Sequence, residues 1–291
     1  MIRVKSEREI TIIRENARIL TEILEELVEA AREGVSTGEL DRLAEREILR
    51  AGGRPAFKGY RGYPRTLCTS LNHEVVHGIP RDDRILNKGD LLSLDLGLYR
   101  HGFYADVATT VLIGSGEVED GGNPVQPQTW TRARRLLEVT WTALERGIAA
   151  ARVGAHISDI SHAIGSYVEE QGYSVVERYA GHGIGRELHE EPQIPNSGPP
   201  RRGPRLREGM VLCLEPMVKE DEGEVVLLED GWTAVTPNGG LAAHFEEMVL
   251  ITEEGPEVLT ETRGRGRGRR REGGGVRSLS LRAVLSGSAG R

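Results

Sequence analysis

The chain has 291 residues, 38% hydrophobic and 29% charged, with a formal net charge of -7. That is room for one large domain or two modest ones around a real core, and no run approaches the roughly 20 apolar residues of a membrane helix. Two cysteines, Cys68 and Cys213, with no Cys-x-x-Cys pair, exclude a disulfide framework and a zinc finger or ribbon.

The opening MIRVKSEREI lacks the apolar segment of a signal peptide, so a cytoplasmic location is expected. Residues 6–32 then read as an amphipathic helix. Ser6 and Glu9 have capping-box spacing, Ile10, Ile13, Ala17, Leu20, Leu24, Leu27 and Ala31 recur at three- and four-residue steps, and Gly34 ends the run. A second helix is expected over 37–50, with Leu40, Leu43, Ala44 and Ile48 inward. Residues 59–80 form a loop region rich in Gly, Pro and Asn. Strands are expected over 90–99 and 105–113, an irregular surface segment over 114–128, and helices over 129–151 and 156–171. Strand and loop follow: 174–179, 210–218, 225–228, 232–235 and 244–252. Helices precede strands in each half, which makes the class α+β; no sequence repeat stands out. Residues 262–291 are Arg-Gly repeats followed by Ser, Gly and Ala, a composition that buries no apolar surface, and disorder is expected there. Nine Arg against the single Glu272 give this tail +8, so residues 1–261 carry -15 of the net -7.

Candidate chemistry begins with LLSLDLGLYRHGFYADVATTVLI, read as two strands about a turn near position 100.5. Period two sets Leu92, Leu94, Leu96 and Leu98 on one face and Ser93, Asp95 and Gly97 on the other. In simple antiparallel register Asp95 and Asp106 would face each other. Opposed like charges weaken a strand pair, and a cation between them removes the objection; exposed Asp on a solvated sheet face is the plainer alternative. Among eight histidines, His77 lies in VVHGIP, and His182 and His189 lie in GHGIGRELHEEP, where the glycines argue for loop or turn backbone in close approach to something. Glu215 shares a strand face with Val211 and Cys213, where an ionised carboxylate is costly unless paired or coordinated; Pro216 offers a strand end and an escape to solvent. In HFEEMVLIT alternation puts Glu246 and Glu247 on opposite faces without saying which points inward.

Taken in order, GYRGYP (59–64), NHEVVHGIP (72–80), SLDLG (93–97), YADVATT (104–110), GHGIGRELHEEP (181–192), LEPMV (214–218), DGWTAVTPNGG (230–240) and HFEEMVLIT (244–252) resemble the methionine aminopeptidases of the type I, bacterial kind. Roughly residues 1–260 are covered. The resemblance implies the pita-bread fold, two α+β halves related by a pseudo-twofold with a dinuclear metal site between their sheets. It makes residues 1–261 the catalytic domain. It implies five metal ligands, Asp95, Asp106, His182, Glu215 and Glu246, and so chooses Glu246 over Glu247. His77 and His189 match substrate-contacting histidines, and Tyr60, Tyr63, Cys68 and Trp232 match positions lining a methionine pocket. Phe57 and Leu188 depart from common members, some of which have Cys and Phe there.

The implied activity is removal of the initiator methionine from nascent proteins whose second residue is small. Two divalent ions are implied, and four carboxylates with one imidazole suit Mn, Fe(II), Co or Zn alike. Glu215 would act as the base, His189 would donate to the oxyanion, and His77 would contact the peptide. A monomer is expected, with no membrane partner; the basic tail reads either as a solvated extension without function or as a salt-sensitive contact to RNA, that of the ribosome included. The competing readings are prolidase or aminopeptidase P, which share the five ligands but usually carry an added N-terminal domain, and a pita-bread binding module without catalysis, which would have lost ligands. The type II enzymes carry a long insertion for which the stretch between Glu215 and Glu246 is too short.

Overall fold

The computed structural model describes residues 2–114 and 127–260; the basic tail and nearly all of the segment expected to be irregular lie outside them. The elements run α1 (Glu7–Ala30), α2 (Thr37–Arg50), β1 (Arg54–Pro55), β2 (Leu67–Leu71), β3 (Glu74–Val76), β4 (Leu91–Arg100) and β5 (Phe103–Leu112). The second half has α3 (Pro127–Ala150), α4 (Ile157–Glu170), β6 (Ser174–Val175), β7 (Gly181–Gly183), β8 (Glu190–Ile194), β9 (Val211–Leu214) and β10 (Met217–Lys219). It closes with β11 (Val226–Leu227), β12 (Ala234–Val235), β13 (Ala242–His244), β14 (Glu247–Thr252) and β15 (Gly255–Val258). The helices fall where periodicity and capping placed them. Glu9 Oε2 accepts from the Ser6 backbone N–H and from Ser6 Oγ, both at 2.9 Å, which satisfies one of the orphan donors of the first turn.

The halves repeat. Glu7 to Pro127, Thr37 to Ile157, Arg54 to Ser174 and Leu91 to Val211 are each a step of 120 residues between corresponding element starts. In both halves a 24-residue helix is followed by one of 14 residues. The repeat lives in element lengths rather than in side chains, which is why the sequence does not display it.

In the first half β4 is central, paired with β1 and β2 along one edge and with β5 along the other. Leu92, Leu94, Leu96 and Leu98 enter the core under α1 and α2, as period two requires. In the second half the corresponding central strand is interrupted. β9 and β10 stop either side of Glu215-Pro216, and their partners β14 and β13 stop either side of Phe245-Glu246. The register is nonetheless continuous: Cys213 pairs with Met248, Met217 with His244, which sets Glu215 level with Glu246. This sheet serves two cores. Val211, Cys213, Met248 and Leu250 join the first-half core, while Leu212, Leu214, Val249 and Ile251 pack with α3 and α4. Among the described residues no helix is long and apolar enough to cross a membrane.

Three local expectations are corrected. The stretch 59–80, expected as loop, contains β2 and β3. The β4–β5 register pairs Asp95 with Ala108 and Asp106 with Gly97, so the two aspartates are diagonal neighbours rather than directly opposed. They remain on one face, because their offset is two residues. His182 lies in a strand, not a loop: β7 pairs with both β8 and β9. The glycines beside it answer to close approach, since a Cβ at Gly181 would lie 2.4 Å from Cys213 O and one at Gly183 2.4 Å from Glu191 O.

Candidate active site

A cavity of about 840 Å³ opens between the two halves. All eleven residues singled out by sequence line it: Asp95, Asp106, His182, Glu215 and Glu246, with His77, His189, Tyr60, Tyr63, Cys68 and Trp232. Phe57 and Leu188 line it as well.

Its floor is acidic and largely closed to water. Asp106 and Glu246 are both 3% exposed. Carboxylate oxygens, one each from Asp95, Asp106 and Glu246, lie within 4.8 Å of one another, as do donor atoms of His182, Cys213 and Glu246. Glu246 thus belongs to both groups. Burial first, and the neighbouring carboxylates second, push the carboxyls of Asp106, Glu215 and Glu246 well above the usual range. Burial pushes Asp95 up to about 7. Asp95 Oδ1, Asp106 Oδ1 and Glu246 Oε1 are buried and take part in no hydrogen bond. Buried polar atoms without partners are costly, and three converging carboxylate oxygens are the donor set a hard divalent cation needs.

His182 supplies a nitrogen to the same floor. Its Nδ1 lies 2.9 Å from Gly183 O, and a carbonyl can only accept, so Nδ1 carries the proton. Burial, then His189, lower its pKa to about 3. The ring is therefore neutral near pH 7 and presents a bare Nε2 3.5 Å from Glu215 Oε1. Nδ1–H donated to a backbone carbonyl with Nε2 left open is the arrangement that orients a metal-binding imidazole. The Cys213 thiol is a weaker candidate for the same place. Burial, then Glu246 and Asp106, push its pKa well up, so it stays a thiol.

The walls are aromatic. The Tyr63 and Trp232 rings meet edge-on at 5.1 Å, and His77 meets Tyr179 at 5.1 Å and Trp232 at 6.4 Å. Tyr63 is pinned by its hydroxyl, which donates to Leu67 O at 3.0 Å. Cys68 stands beside Asp95 on the neighbouring strand. On the opposite side the His189 ring sits 4.3 Å from that of His182, with its Nδ1 2.8 Å from the Tyr60 hydroxyl. Burial is the main cause that lowers His77 and His189 to about 4, so both are neutral near pH 7.

Sequence reasoning missed His244. It is 2% exposed, its Nε2 has no hydrogen-bond partner, and that atom lies 3.9 Å from Glu215 Oε2. The signal was present, since alternation places residue 244 on the same face as 246.

Comparison with known proteins accords with this geometry. The model of metallopeptidase family M24 matches residues 11–253. The chain belongs to that family. Methionine aminopeptidase 1 of Bacillus subtilis is 45% identical over 260 residues, which are 89% of this chain and 99% of that protein. Among solved structures, the methionine aminopeptidase of Thermotoga maritima is 41% identical with a TM-score of 0.82, covering 89% of this chain and 99% of that one. The prolidase of Pyrococcus furiosus is 26% identical with a TM-score of 0.69, and there the match covers 90% of this chain but only 66% of the prolidase. Family membership establishes a metallopeptidase with the pita-bread fold, and the near-complete coverage places it with the methionine aminopeptidases rather than with the longer prolidases.

Proposed function

We propose that the protein removes the initiator methionine from new polypeptides in the cytoplasm, as a monomer carrying two divalent ions, within a catalytic domain of residues 1–261. The observation that carries this reading is the floor of the cavity, where carboxylate oxygens without hydrogen-bond partners converge beside an imidazole held neutral with Nε2 open. Asp95, Asp106, His182, Glu215 and Glu246 would hold the ions. Carboxylates with one imidazole and no thiolate suit Mn, Fe(II), Co or Zn. When bound, the ions supply Lewis-acid polarisation of the scissile carbonyl and make hydroxide available near neutral pH.

The remaining steps belong to the chain itself. Glu215 accepts the proton of the attacking water and passes it to the departing amine. In the tautomer whose Nδ1 accepts from the Tyr60 hydroxyl, His189 carries its proton on Nε2, where it donates to the developing oxyanion. His77 contacts the peptide beside the cleaved bond. Tyr60, Tyr63, Cys68 and Trp232 enclose the methionine side chain. A cavity closed at its acidic floor fits a chain end and not a chain passing through, which accounts for removal of one residue.

The test is metal content after purification followed by hydrolysis of Met-Ala-Ser. Stoichiometric metal with release of free methionine is expected; a protein that binds metal but releases none would be the binding module instead. The nine Arg of residues 262–291 are read as a salt-sensitive contact to ribosomal RNA. A chain ending at 261 should keep peptide activity and lose ribosome affinity at low salt; unchanged affinity would make the tail a bystander.

A further inference from the structure

The loop that carries Leu188 and His189 joins β7 to β8, and its own backbone does little to hold it. Gly185 N–H donates to Glu187 O at 3.2 Å, and Tyr104 N–H donates to Gly185 O at 2.8 Å. What fixes it is a side chain from the far end of the sequence. Lys5 lies in the segment ahead of α1, tied down by its own N–H to Gly209 O at 2.8 Å. Its Nζ meets Glu190 Oε2 at 2.7 Å, and both side chains are only 5% exposed. Glu190 Oε1 turns back into the loop, accepting from the N–H groups of Arg186 at 2.8 Å and Glu187 at 3.3 Å. One carboxylate therefore gathers the loop, and one buried ammonium holds that carboxylate in place. The loop closes over the pair so tightly that a Cβ at Gly185 would sit 2.6 Å from Lys5 Cε and 2.8 Å from Glu190 Oε1.

Two more ion pairs link the same segments, Arg3 with Glu187 at 3.8 Å and Arg186 with Glu9 at 2.9 Å. Both are substantially exposed, and such pairs contribute little. The buried pair differs in kind. Removing one member strands a charge in a dry site, whereas neutralising both leaves no such charge.

We infer that Lys5 is a positioning residue of the active site: through Glu190 it holds the 185–189 loop so that His189 meets the cavity at the distance and angle catalysis needs. The N-terminal segment is thereby part of the catalytic apparatus, although Lys5 itself does not line the cavity. The inference rests on the role proposed above for His189.

The experiment compares wild type, Lys5→Met and the double variant Lys5→Met/Glu190→Gln, all metal-loaded. Three readouts are taken: hydrogen exchange of the amides at 185–190, metal content, and kcat and KM on Met-Ala-Ser. The loop amides of both variants should exchange about tenfold faster while those of α3 are unchanged, because only the loop's local opening is affected. Metal content should stay at the wild-type level. The turnover number should fall at least about tenfold with KM within about twofold, since a displacement of about 1 Å at a reacting group costs on the order of a hundredfold. If Lys5→Met fails to fold, the double variant carries the comparison. A double variant with wild-type loop protection and wild-type kcat would overturn the inference, as would a loss of activity matched by a loss of metal. A wild type that releases no methionine would sink the proposed function instead, and the exchange comparison would still report on the loop.

Discussion

Glu246 and Ala108 exchange both backbone hydrogen bonds, Glu246 N–H to Ala108 O at 2.9 Å and Ala108 N–H to Glu246 O at 3.5 Å. Ala108 stands opposite Asp95 in the β4–β5 hairpin. This single bridge carries a carboxylate of the second half to those of the first. It also explains why the β13–β14 strand breaks where it does, since the backbone of Glu246 is committed to the other sheet. Thr110 adds a second tie two residues on, donating from Oγ1 to His244 O at 2.7 Å and accepting from His244 N–H at 2.9 Å.

A floor of carboxyls held above their ordinary pKa makes the metal-free protein sensitive to pH. The raised groups, Asp95 at about 7 and Asp106, Glu215 and Glu246 well above their ordinary range, keep protons that the unfolded chain has already lost. Each costs stability progressively as pH rises from about 4 towards its folded value. The buried histidines, lowered to about 3 or 4, act in the opposite direction, but their effect is complete about one pH unit above the unfolded value of roughly 6.5. The chelated protein should therefore melt at a lower temperature at pH 8.5 than at about pH 7.5, where the histidine contribution is already complete. Added divalent metal should remove most of that difference, because a ligand bound only by the folded state stabilises it. Differential scanning calorimetry with and without chelator checks this; a chelated protein more stable at pH 8.5 would refute it.

Neutralising single floor residues should separate chemistry from folding. Asp106→Asn and Glu215→Gln each delete one charge from a crowded acidic site. Turnover on Met-Ala-Ser should fall by at least about a thousandfold, by loss of the ion-holding set and, for Glu215, of the base. In chelator at pH 8 both variants should melt at or above the wild type, because fewer like charges are confined together. Full activity in Glu215→Gln would refute the assignment of that residue.

The helices, the hairpin and the eleven residues that were expected to form the site and line the cavity were legible in the sequence, for different reasons, whereas His244 and Tyr179 were not. Periodicity and a capping box were enough for α1, and alternation was enough for the leucine face of β4. The five floor residues needed the resemblance, because period two alone could not choose between Glu246 and Glu247 or keep Glu215 from solvent. The diagonal offset of Asp95 and Asp106 was not legible, since it depends on where the turn at His101-Gly102 places its two positive-φ residues. The Lys5–Glu190 pair was out of reach as well: 185 residues separate its members, and nothing local marks a lysine for burial.

Tyr60 gives a milder test than the floor. Its hydroxyl is the observed partner of His189 Nδ1, and Tyr60→Phe removes that bond while keeping the ring. A neutral hydrogen bond is worth about 1 kcal/mol, so kcat on Met-Ala-Ser should fall about fivefold with metal content unchanged. The remedy would not come from pH, because His189 is already neutral near pH 7. Steady-state kinetics between pH 6.5 and 8.5 decide the matter; an unchanged kcat would remove Tyr60 from the chain of orientation.

The last prediction concerns the residue after methionine. In the binding mode proposed above, the scissile carbonyl reaches the acidic floor while the methionine side chain lies among Tyr63, Cys68 and Trp232. The next residue then falls near His77, already hemmed in by Tyr179 and Trp232 with ring centres at 5.1 Å and 6.4 Å. A branched or long side chain there displaces the carbonyl, and about 1 Å of displacement costs on the order of a hundredfold in rate. Met-Gly, Met-Ala and Met-Ser peptides should be cleaved at comparable rates, with Met-Ile and Met-Arg slower by about a hundredfold or more. The loss should appear in kcat more than in KM, because the methionine side chain still binds while the carbonyl is misplaced. Competition among the five peptides, with free methionine measured by mass spectrometry, gives the order directly. Cleavage of Met-Ile at the rate of Met-Ala would mean that the space beside His77 is wider than its ring contacts indicate, and that second-residue selection lies elsewhere in the cavity.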